Sequence, residues 1–178
     1  MLLPSHEPDY ELMKLSSASI QIVHQCRQYL QEGGKENAIS LLNYLRNTFF
    51  DSKIDITPAQ SIDDVFLYTA DKGVMTQETL QASLDPTKPN VALLAYRTHF
   101  LADNMSPLIE MSKALAARGM NAFVVFASNL RDNKLLEQVE FLMTNTGKRA
   151  VHTIINTTGF TIKPMDGSDF IFEKLKVP

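Results

Sequence analysis

Short apolar runs alternate with helical patterns along the second half of the chain. The apolar runs cover residues 91–97, 121–127 and 151–156, and each is long enough for one buried strand. Between them, residues 106–118 and 132–145 repeat apolar side chains at a period near 3.6. Continuous apolar strands that alternate with helices are typical of consecutive βαβ units. The pattern therefore predicts a doubly wound parallel sheet of the flavodoxin-like or Rossmann-like kind.

Local signals at the helix ends support this interpretation. Ser106 is a candidate N-cap, and Pro107 suits the first helical position. Gly119 can adopt the left-handed conformation that ends a helix. The second helix has a regular apolar stripe, which consists of Leu135, Leu136, Val139, Leu142 and Met143. We expect both helices to pack an apolar face on the sheet.

Two further helical patterns precede the sheet and predict a helical hairpin over residues 1–50. The first starts at a candidate cap, Asp9, and ends at Gly33–Gly34. Its predicted buried stripe is Leu12, Leu15, Ser19, Ile22, Cys26 and Leu30. The second starts near Glu36, and its predicted stripe is Ala38, Leu41, Leu42, Leu45 and Phe49. Because a hairpin cannot bury both stripes alone, we expect it to pack on the sheet or beside it.

Residues 51–89 are less regular and are interpreted as a connector. Prolines punctuate the stretch, and Asp63–Asp64 gives it a polar character. The apolar run at residues 65–68 fits either a small strand or a helical turn, and residues 77–83 fit another helical turn. The α/β domain is then expected to cover residues 90–178 and to be truncated at its end.

The amino-acid composition and net charge argue against several classes of function. The chain has 178 residues, 44% hydrophobic and 21% charged, which suits one globular domain with or without an appendage. A net charge of -3 gives no electrostatic footprint for nucleic acid. The single Cys26 fits a reducing compartment. With no apolar run near the roughly 20 residues of a membrane span and no secretory signal, the simplest interpretation is a cytoplasmic protein.

Several familiar chemical motifs are missing from the sequence. It has no G-x-x-x-x-G-K-[ST] phosphate loop, so ATP hydrolysis by this chain is not expected. Residues 97–104 contain no glycine, which disfavours a dinucleotide site. Zinc-type Cys/His spacing and a G-x-S-x-G elbow are also absent. No catalytic residue can be assigned from motifs.

Polar residues gather where the predicted strands end, and ligands of open α/β sheets bind at that edge. Arg97 and His99 follow the first strand, Asn104 lies in the next loop, and Asn156 and Thr158 end the third strand. Arg97 can bind a carboxylate in a bidentate manner. His99 can be a metal ligand, a proton carrier or an ordinary loop residue. With the first strand central and the third beside it, Arg97 and Asn156 can meet one ligand or one neighbouring domain.

The candidate residues and the segments around them resemble the corresponding sequence of a known family, the large subunit of the aerobic cobaltochelatase. The related porphyrin-binding H subunit of magnesium chelatase shows a similar Arg-x-His after the first strand and a similar Thr-Gly-Phe after the third. The resemblance covers essentially the whole chain and is most specific in the α/β part. The segments that carry it are residues 8–13, 33–37, 93–99, 107–119 and 154–160, together with Asn104.

The resemblance implies an ATP-dependent ligase that inserts cobalt into a corrin precursor in cobalamin biosynthesis. In that family the large subunit binds the tetrapyrrole, and partner subunits of the AAA+ class hydrolyse ATP with magnesium. Cobalt is then a substrate metal. This chain is expected to be an N-terminal fragment or a reduced homologue that is inactive alone. The alternatives are a magnesium chelatase H-type subunit and a non-catalytic α/β module for a ligand or partner.

The resemblance also gives the candidate residues two sets of roles. In the first, Arg97 pairs with a carboxylate arm, Asn104 and Asn156 bond amide arms, and His99 holds the metal or accepts a pyrrole proton. In the second, Arg97 and His99 tie the strand end to the rest of a large subunit. A receiver-type module would instead need acidic residues clustered at the strand ends, and the sequence places none there.

Overall fold

The computed structural model describes residues 11, 14–130, 132–144 and 151–159. These residues form six helices and five strands, whose bounds in chain order are α1 Ile20–Glu32, α2 Lys35–Phe50, β1 Val65–Thr69, β2 Gly73–Met75, α3 Gln77–Ser83, β3 Asn90–Tyr96, α4 Arg97–Leu101, α5 Ser106–Ala116, β4 Asn121–Ala127, α6 Asn133–Thr144 and β5 Thr153–Asn156. They fall into two compact units. The hairpin unit contains the residues up to Ile62 and Leu101–Asp103, and the sheet unit contains the others.

The three strands that the sequence predicted to be parallel are parallel in the structure. The strand order is β2-β1-β4-β3-β5, so β3 lies between β4 and β5. Strand β3 pairs in parallel with β4 from Asn90↔Asn121 to Tyr96↔Ala127. It also pairs in parallel with β5, where Leu94 lies opposite Asn156. The prediction of a central first strand with the third beside it is confirmed.

The sheet is mixed rather than wholly parallel, because β1 and β2 run in the opposite direction. Strand β1 pairs antiparallel with β4, with Val65 opposite Ala127, and antiparallel with β2. The apolar run at residues 65–68 is therefore a strand and not a helical turn. Its Phe66 and Leu67 are buried in the sheet unit. The stretch interpreted as a connector thus contributes two strands, followed by the expected helix at residues 77–83.

Helices cover both faces of the sheet, as a doubly wound fold requires. Side chains of a strand alternate between the two faces. One face is buried in a continuous core with α6, whose Leu136, Val139 and Met143 all contribute. On the other face, α5 packs on β3 and β4. Each fully buried leucine or phenylalanine contributes about 1.5–3 kcal/mol relative to exposure. The members of the first core are Leu67, Leu80, Ala92, Leu94, Phe123, Val125, Ala127, Leu130, Leu136, Val139, Met143 and Val151.

The helix ends follow the sequence signals with one correction. The N-cap of α5 is Met105 and not Ser106, which is already the first helical residue. The buried Met105 side chain makes no capping hydrogen bond. Pro107 lies in the first turn as predicted, and Gly119 adopts a positive φ of 78° just beyond the helix. At the start of α6, the carboxylate of Asp132 accepts a hydrogen bond of 2.9 Å from the Lys134 backbone N–H. The predicted end at residue 145 lies outside the described residues.

In the hairpin unit, the first helix differs from its prediction. Asp9 and Leu12 lie outside the described residues. Ser19, predicted to be part of the buried stripe, is instead the N-cap of α1, and its hydroxyl accepts from the Ile22 N–H at 3.4 Å. Its extended backbone (φ -63°, ψ 155°) separates α1 from the preceding residues, and Leu15 there is 82% exposed. The residues that α1 buries are Val23, Cys26 and Tyr29.

The second helix also buries a different face from the predicted one. Leu42 and Phe49, expected to be buried, are 62% and 55% exposed. The buried positions of α2 are Asn37 and Ser40. Asn37 donates to the carbonyl oxygens of Gly33 at 2.7 Å and Gln60 at 2.8 Å, and its Oδ1 accepts from the Gln60 N–H at 2.9 Å. A polar side chain is buried because it supplies the hydrogen bonds that the irregular residues 51–62 need.

Candidate functional site at the carboxyl edge of the sheet

Four strands place residues at one edge of the sheet. The parallel strands β3, β4 and β5 all end there, and the antiparallel β1 begins there. Backbone hydrogen bonds continue the pairing at this edge, from Ser128 N–H to Asp64 oxygen at 2.8 Å and from Thr157 N–H to Leu94 oxygen at 2.9 Å. The candidate residues that follow β3 and β5 therefore share this edge with Asp63 and Asp64.

Arg97, the first residue of α4, is held by the start of β1. Its Nη1 lies 3.4 Å from Oδ1 of Asp64 and donates to the carbonyl oxygen of Asp63 at 3.4 Å. The Arg97 side chain is 18% exposed, whereas that of Asp64 is 55% exposed. The guanidinium thus spans from the end of β3, past β4, to β1. This contact holds Arg97 within the sheet of this chain itself.

Asn156 and Thr158 form a local turn at the end of β5. The Oδ1 of Asn156 accepts from the Thr158 N–H at 3.0 Å and from its hydroxyl at 2.7 Å. The Thr157 hydroxyl donates to the Leu94 oxygen at 2.9 Å, which fixes the turn to β3. Asn156 is exposed and Thr158 is buried. Asn156 is therefore a turn residue, and its amide NH₂ is the group that can donate to a ligand.

Arg97 and Asn156 lie at the same edge but on different sides of β3. Arg97 reaches two strands away to β1, a distance of about 10 Å at the usual strand spacing. Asn156 lies on β5, the opposite neighbour of β3. The structure thus places Arg97 with Asp63 and Asp64, and Asn156 with Thr158. The predicted common edge is correct, but Arg97 faces a protein carboxylate there.

His99 and Asn104 flank the loop that leaves β3. His99 is half-buried in the short helix α4, and its carbonyl oxygen accepts from the Asn104 N–H at 2.9 Å. Asn104 is exposed just before α5. Phe100 anchors α4, because its ring centroid lies 5.1 Å from that of Phe66 and 5.9 Å from that of Phe126. The aromatic contacts fix the backbone that carries His99.

Asp63 and Asp64 were missed as edge residues. No acidic residue directly follows β3, β4 or β5, but antiparallel β1 begins at this edge and brings both aspartates to it. The available signal was the apolar run directly after them, which starts an antiparallel strand. They border a groove of about 380 Å³, near the small end of ligand pockets. Its lining is Asp63, Asp64, Val65, Leu135, Gln138, Phe141 and Leu142.

Neither a metal-ligand set nor a membrane-spanning helix occurs in the part of the chain that the structure describes. No group of three or more histidine, cysteine, aspartate or glutamate side chains there is placed to hold a metal ion. His99 therefore has no assembled ligand set among those residues. Likewise, no described helix is long and apolar enough to cross a membrane.

The opposite edge of the sheet has its own polar network. The Nδ1 of His152 accepts from the Asn90 N–H at 3.0 Å, which gives this histidine a structural role. Asn121 joins Asn90 to the loop before β3 by donating to the Asp85 oxygen at 2.8 Å. Hydrogen bonds from the Thr87 hydroxyl at 2.6 Å and backbone N–H at 3.0 Å hold the pKa of the Asp85 carboxyl below its usual range. These bonds fasten the loop to the sheet.

Comparison with known proteins identifies a family. Residues 27–178 match the family model described as CobN/Magnesium Chelatase. The aerobic cobaltochelatase subunit CobN of Pseudomonas aeruginosa is 31% identical over 153 residues, which cover 86% of this chain and 12% of that protein. The uncharacterized protein MJ0908 of Methanocaldococcus jannaschii is 27% identical over 165 residues, covering 87% of this chain and 13% of that protein.

A solved structure shares the fold. The catalytic subunit of cobaltochelatase from Mycobacterium tuberculosis matches with a TM-score of 0.64 and 21% sequence identity. The match covers 86% of this chain and 12% of that subunit. The chain therefore spans about an eighth of the length of the relatives it matches.

Proposed function

Because this chain belongs to the CobN/magnesium chelatase family, we propose that it forms part of the tetrapyrrole-binding large subunit of a cobaltochelatase. Such an enzyme inserts cobalt, its substrate metal, into a corrin precursor during cobalamin biosynthesis. The supporting observation is the family match over residues 27–178 together with 31% identity to a CobN subunit. We propose that the subunit carries out this reaction in the cytoplasm.

In this proposal, ATP hydrolysis takes place on partner subunits of the AAA+ class, with magnesium. The sequence supports that division, since it contains no phosphate loop. We expect the purified chain neither to hydrolyse ATP nor to insert cobalt by itself. If the purified chain still hydrolysed ATP after contaminating ATPases had been removed, this part of the proposal would be contradicted.

We propose that the tetrapyrrole binds at the edge of the sheet where the parallel strands end, on the side of β5. Asn104 and Asn156 are both exposed and can bond the amide and carboxylate arms of a corrin precursor. His99 carries the imidazole that can accept a pyrrole proton or hold the incoming cobalt. Insertion of a divalent ion releases two protons from the ring, so a proton acceptor near the macrocycle is needed.

Arg97 has a structural role in this proposal. Its guanidinium is largely covered and paired with Asp64, so binding a substrate carboxylate would require it to leave that partner. The groove beside it is bordered by Asp63 and Asp64, and two carboxylates beside one guanidinium leave net negative charge that disfavours carboxylate arms. Both observations favour placing the macrocycle towards β5 and away from β1.

A tetrapyrrole titration tests the proposed function. The chain is titrated with a metal-free corrinoid that carries carboxylate and amide arms, and in parallel with a metal-free porphyrin, while visible absorbance is recorded. Heat-unfolded chain serves as the control. We expect a saturable spectral change with the corrinoid and a weaker one with the porphyrin. Preference for the porphyrin would indicate a magnesium chelatase H-type role, and no change with either would favour a non-catalytic module.

A further inference from the structure

Helix α2 (Lys35–Phe50) exposes a row of large apolar side chains. Ile39, Leu42, Phe49 and Phe50 are 45%, 62%, 55% and 78% exposed. At 100° per residue, these four positions fall within an arc of about 100°, the width of the apolar stripe by which a helix packs on its neighbour. We call these four residues the α2 apolar face.

The two fully buried residues of the same helix are polar, which is unusual for a surface helix. Asn37 and Ser40 are 2% and 7% exposed and lie roughly opposite the α2 apolar face. Asn37 is fixed by three hydrogen bonds to Gly33 and Gln60, so the orientation of the helix is set by specific contacts. An ordinary surface helix buries its apolar stripe and exposes its polar one. Here the apolar stripe is presented outwards over three turns.

The size of the face indicates an interaction surface. A phenylalanine side chain buries about 150–250 Å² when covered, and two of the four residues are phenylalanines exposed by more than half. With Ile39 and Leu42, the four side chains together expose about 400 Å² of apolar surface, at the level that marks binding sites on monomeric proteins.

We infer that the α2 apolar face packs against an amphipathic helix from another part of the same large subunit, outside the region that this chain spans. The relatives support this occupant, because the matched region covers only 12% of the Pseudomonas aeruginosa subunit and 12% of the Mycobacterium tuberculosis subunit. The inference depends on family membership and is independent of tetrapyrrole binding.

The area argues against a second copy of the chain. A stable complex between separate proteins buries about 800 Å² per partner, roughly twice what this face offers. A contact within one polypeptide needs less area, because it does not bear the loss of translational and rotational freedom of two separate molecules. A face of this size therefore suits a neighbouring helix in the same chain.

The charge on the face gives the chemistry of the covering helix. Arg46 is exposed and lies within the same arc, between Leu42 and Phe49. The aliphatic stem of an arginine can extend an apolar surface while its guanidinium seeks a carboxylate. The covering helix is therefore expected to present leucine-type side chains around one aspartate or glutamate.

Thiol labelling tests the inference. The 153 matched residues of this chain replace their counterparts in the Pseudomonas aeruginosa CobN subunit. Leu42→Cys, or the control Thr48→Cys, is introduced on the same helix. Thr48 is exposed but lies outside the arc. The rate of maleimide modification is measured in the 178-residue chain and in the complete chimaeric subunit. The native Cys26 gives little background, because burial raises the pKa of its thiol.

We expect Leu42→Cys to react as fast as Thr48→Cys in the 178-residue chain and at least tenfold more slowly in the complete subunit. Equal rates in the complete subunit would overturn the inference. Protection of Leu42→Cys in the isolated chain, rising with concentration, would replace the covering helix by a second copy. If the chimaera does not fold, the Tm of the Leu42→Lys variant of the isolated chain provides the test. An unchanged Tm supports an exposed face, and a Tm lowered by several degrees contradicts it.

Discussion

The sheet unit and helix α2 of the hairpin unit bury opposite kinds of side chain. The sheet unit buries Leu93, Phe123 and Val125 completely, and helices cover both of its faces. In the hairpin unit, α2 buries Asn37 and Ser40 while Leu42 and its neighbours face solvent. The sheet is stabilised by apolar burial within the chain. In the hairpin unit, α1 buries Val23, Cys26 and Tyr29. Specific hydrogen bonds hold Asn37 of α2, while the large apolar side chains of that helix stay exposed.

The largest expected effect comes from removing a ring in the sheet core. Phe123 is fully buried against the α6 side of the sheet, so Phe123→Ala should lower the free energy of unfolding by about 3–5 kcal/mol. Phe49→Ala is the matched control in the hairpin, where the same change should alter it by no more than about 0.5 kcal/mol. Urea unfolding followed by far-UV circular dichroism measures both. Equal losses would remove the contrast between the units.

A smaller effect is expected from the buried amide of the hairpin. Asn37→Ala removes three hydrogen bonds and leaves the Gln60 N–H without its acceptor, which should cost about 1–3 kcal/mol. The loss should be local, so amide hydrogen exchange in residues 51–62 should accelerate while exchange in β3 and β4 stays slow. Asn43→Ala on the same helix serves as the control. Unchanged exchange at Gln60 would mean that Asn37 does not hold this segment.

The parallel strands could be predicted because they are buried on both faces. β3 and β4 read as unbroken apolar runs, which the sequence shows directly. Strand β1 was ambiguous, since it has five residues and its direction depends on pairing with β4, far along the chain. The sequence pattern locates short strands of this kind but does not give their partners.

The hairpin shows a second limit of periodicity. The pattern correctly identified two helices, but it assigned Leu42 and Phe49 to the buried face. Periodicity shows that apolar residues share a side of a helix and says nothing about which surface covers them. Asn37 could not be recognised as buried, because its partner Gln60 lies in an irregular segment 23 residues away.

The sequence predicted where the candidate site lies in the fold, but it did not predict which side chains contact one another there. Parallel strand ends brought Arg97 and Asn156 to one edge, as expected from their positions. The pairing of Arg97 with Asp64 depends on antiparallel β1 and was not foreseen. The direction of a long side chain is set by such distant partners, so sequence alone left its structural and ligand-binding roles open.

The ion pair at this edge gives a still smaller effect. Arg97 and Asp64 are 3.4 Å apart and partly exposed, so we expect a coupling free energy of about 0.2–1 kcal/mol. A double-mutant cycle with Arg97→Ala, Asp64→Ala and the double variant measures it by chemical denaturation. The coupling should shrink in high salt. Strictly additive losses would show that the pair does not connect β3 to β1.

The smallest effect concerns the loop at the opposite edge. Because the Thr87 hydroxyl and N–H lower the pKa of Asp85 in the folded protein, this carboxylate stabilises the fold above its unfolded-state pKa. That contribution should disappear as pH falls through the folded-state pKa. Thr87→Ala should raise the titration midpoint of Asp85, measured by NMR, towards the ordinary aspartate value. An identical midpoint in wild type and Thr87→Ala would show that Thr87 does not set it.

The most direct test of the central claim compares two variants in the corrinoid titration. Asn156→Asp keeps the oxygen that accepts from Thr158 but replaces the NH₂ donor with negative charge. Arg97→Ala removes a guanidinium that is paired with Asp64. With the macrocycle on the β5 side, Asn156→Asp should raise the Kd at least tenfold, whereas Arg97→Ala should leave the Kd of the folded protein within twofold of wild type. A Kd unchanged by Asn156→Asp and raised tenfold or more by Arg97→Ala would contradict the account.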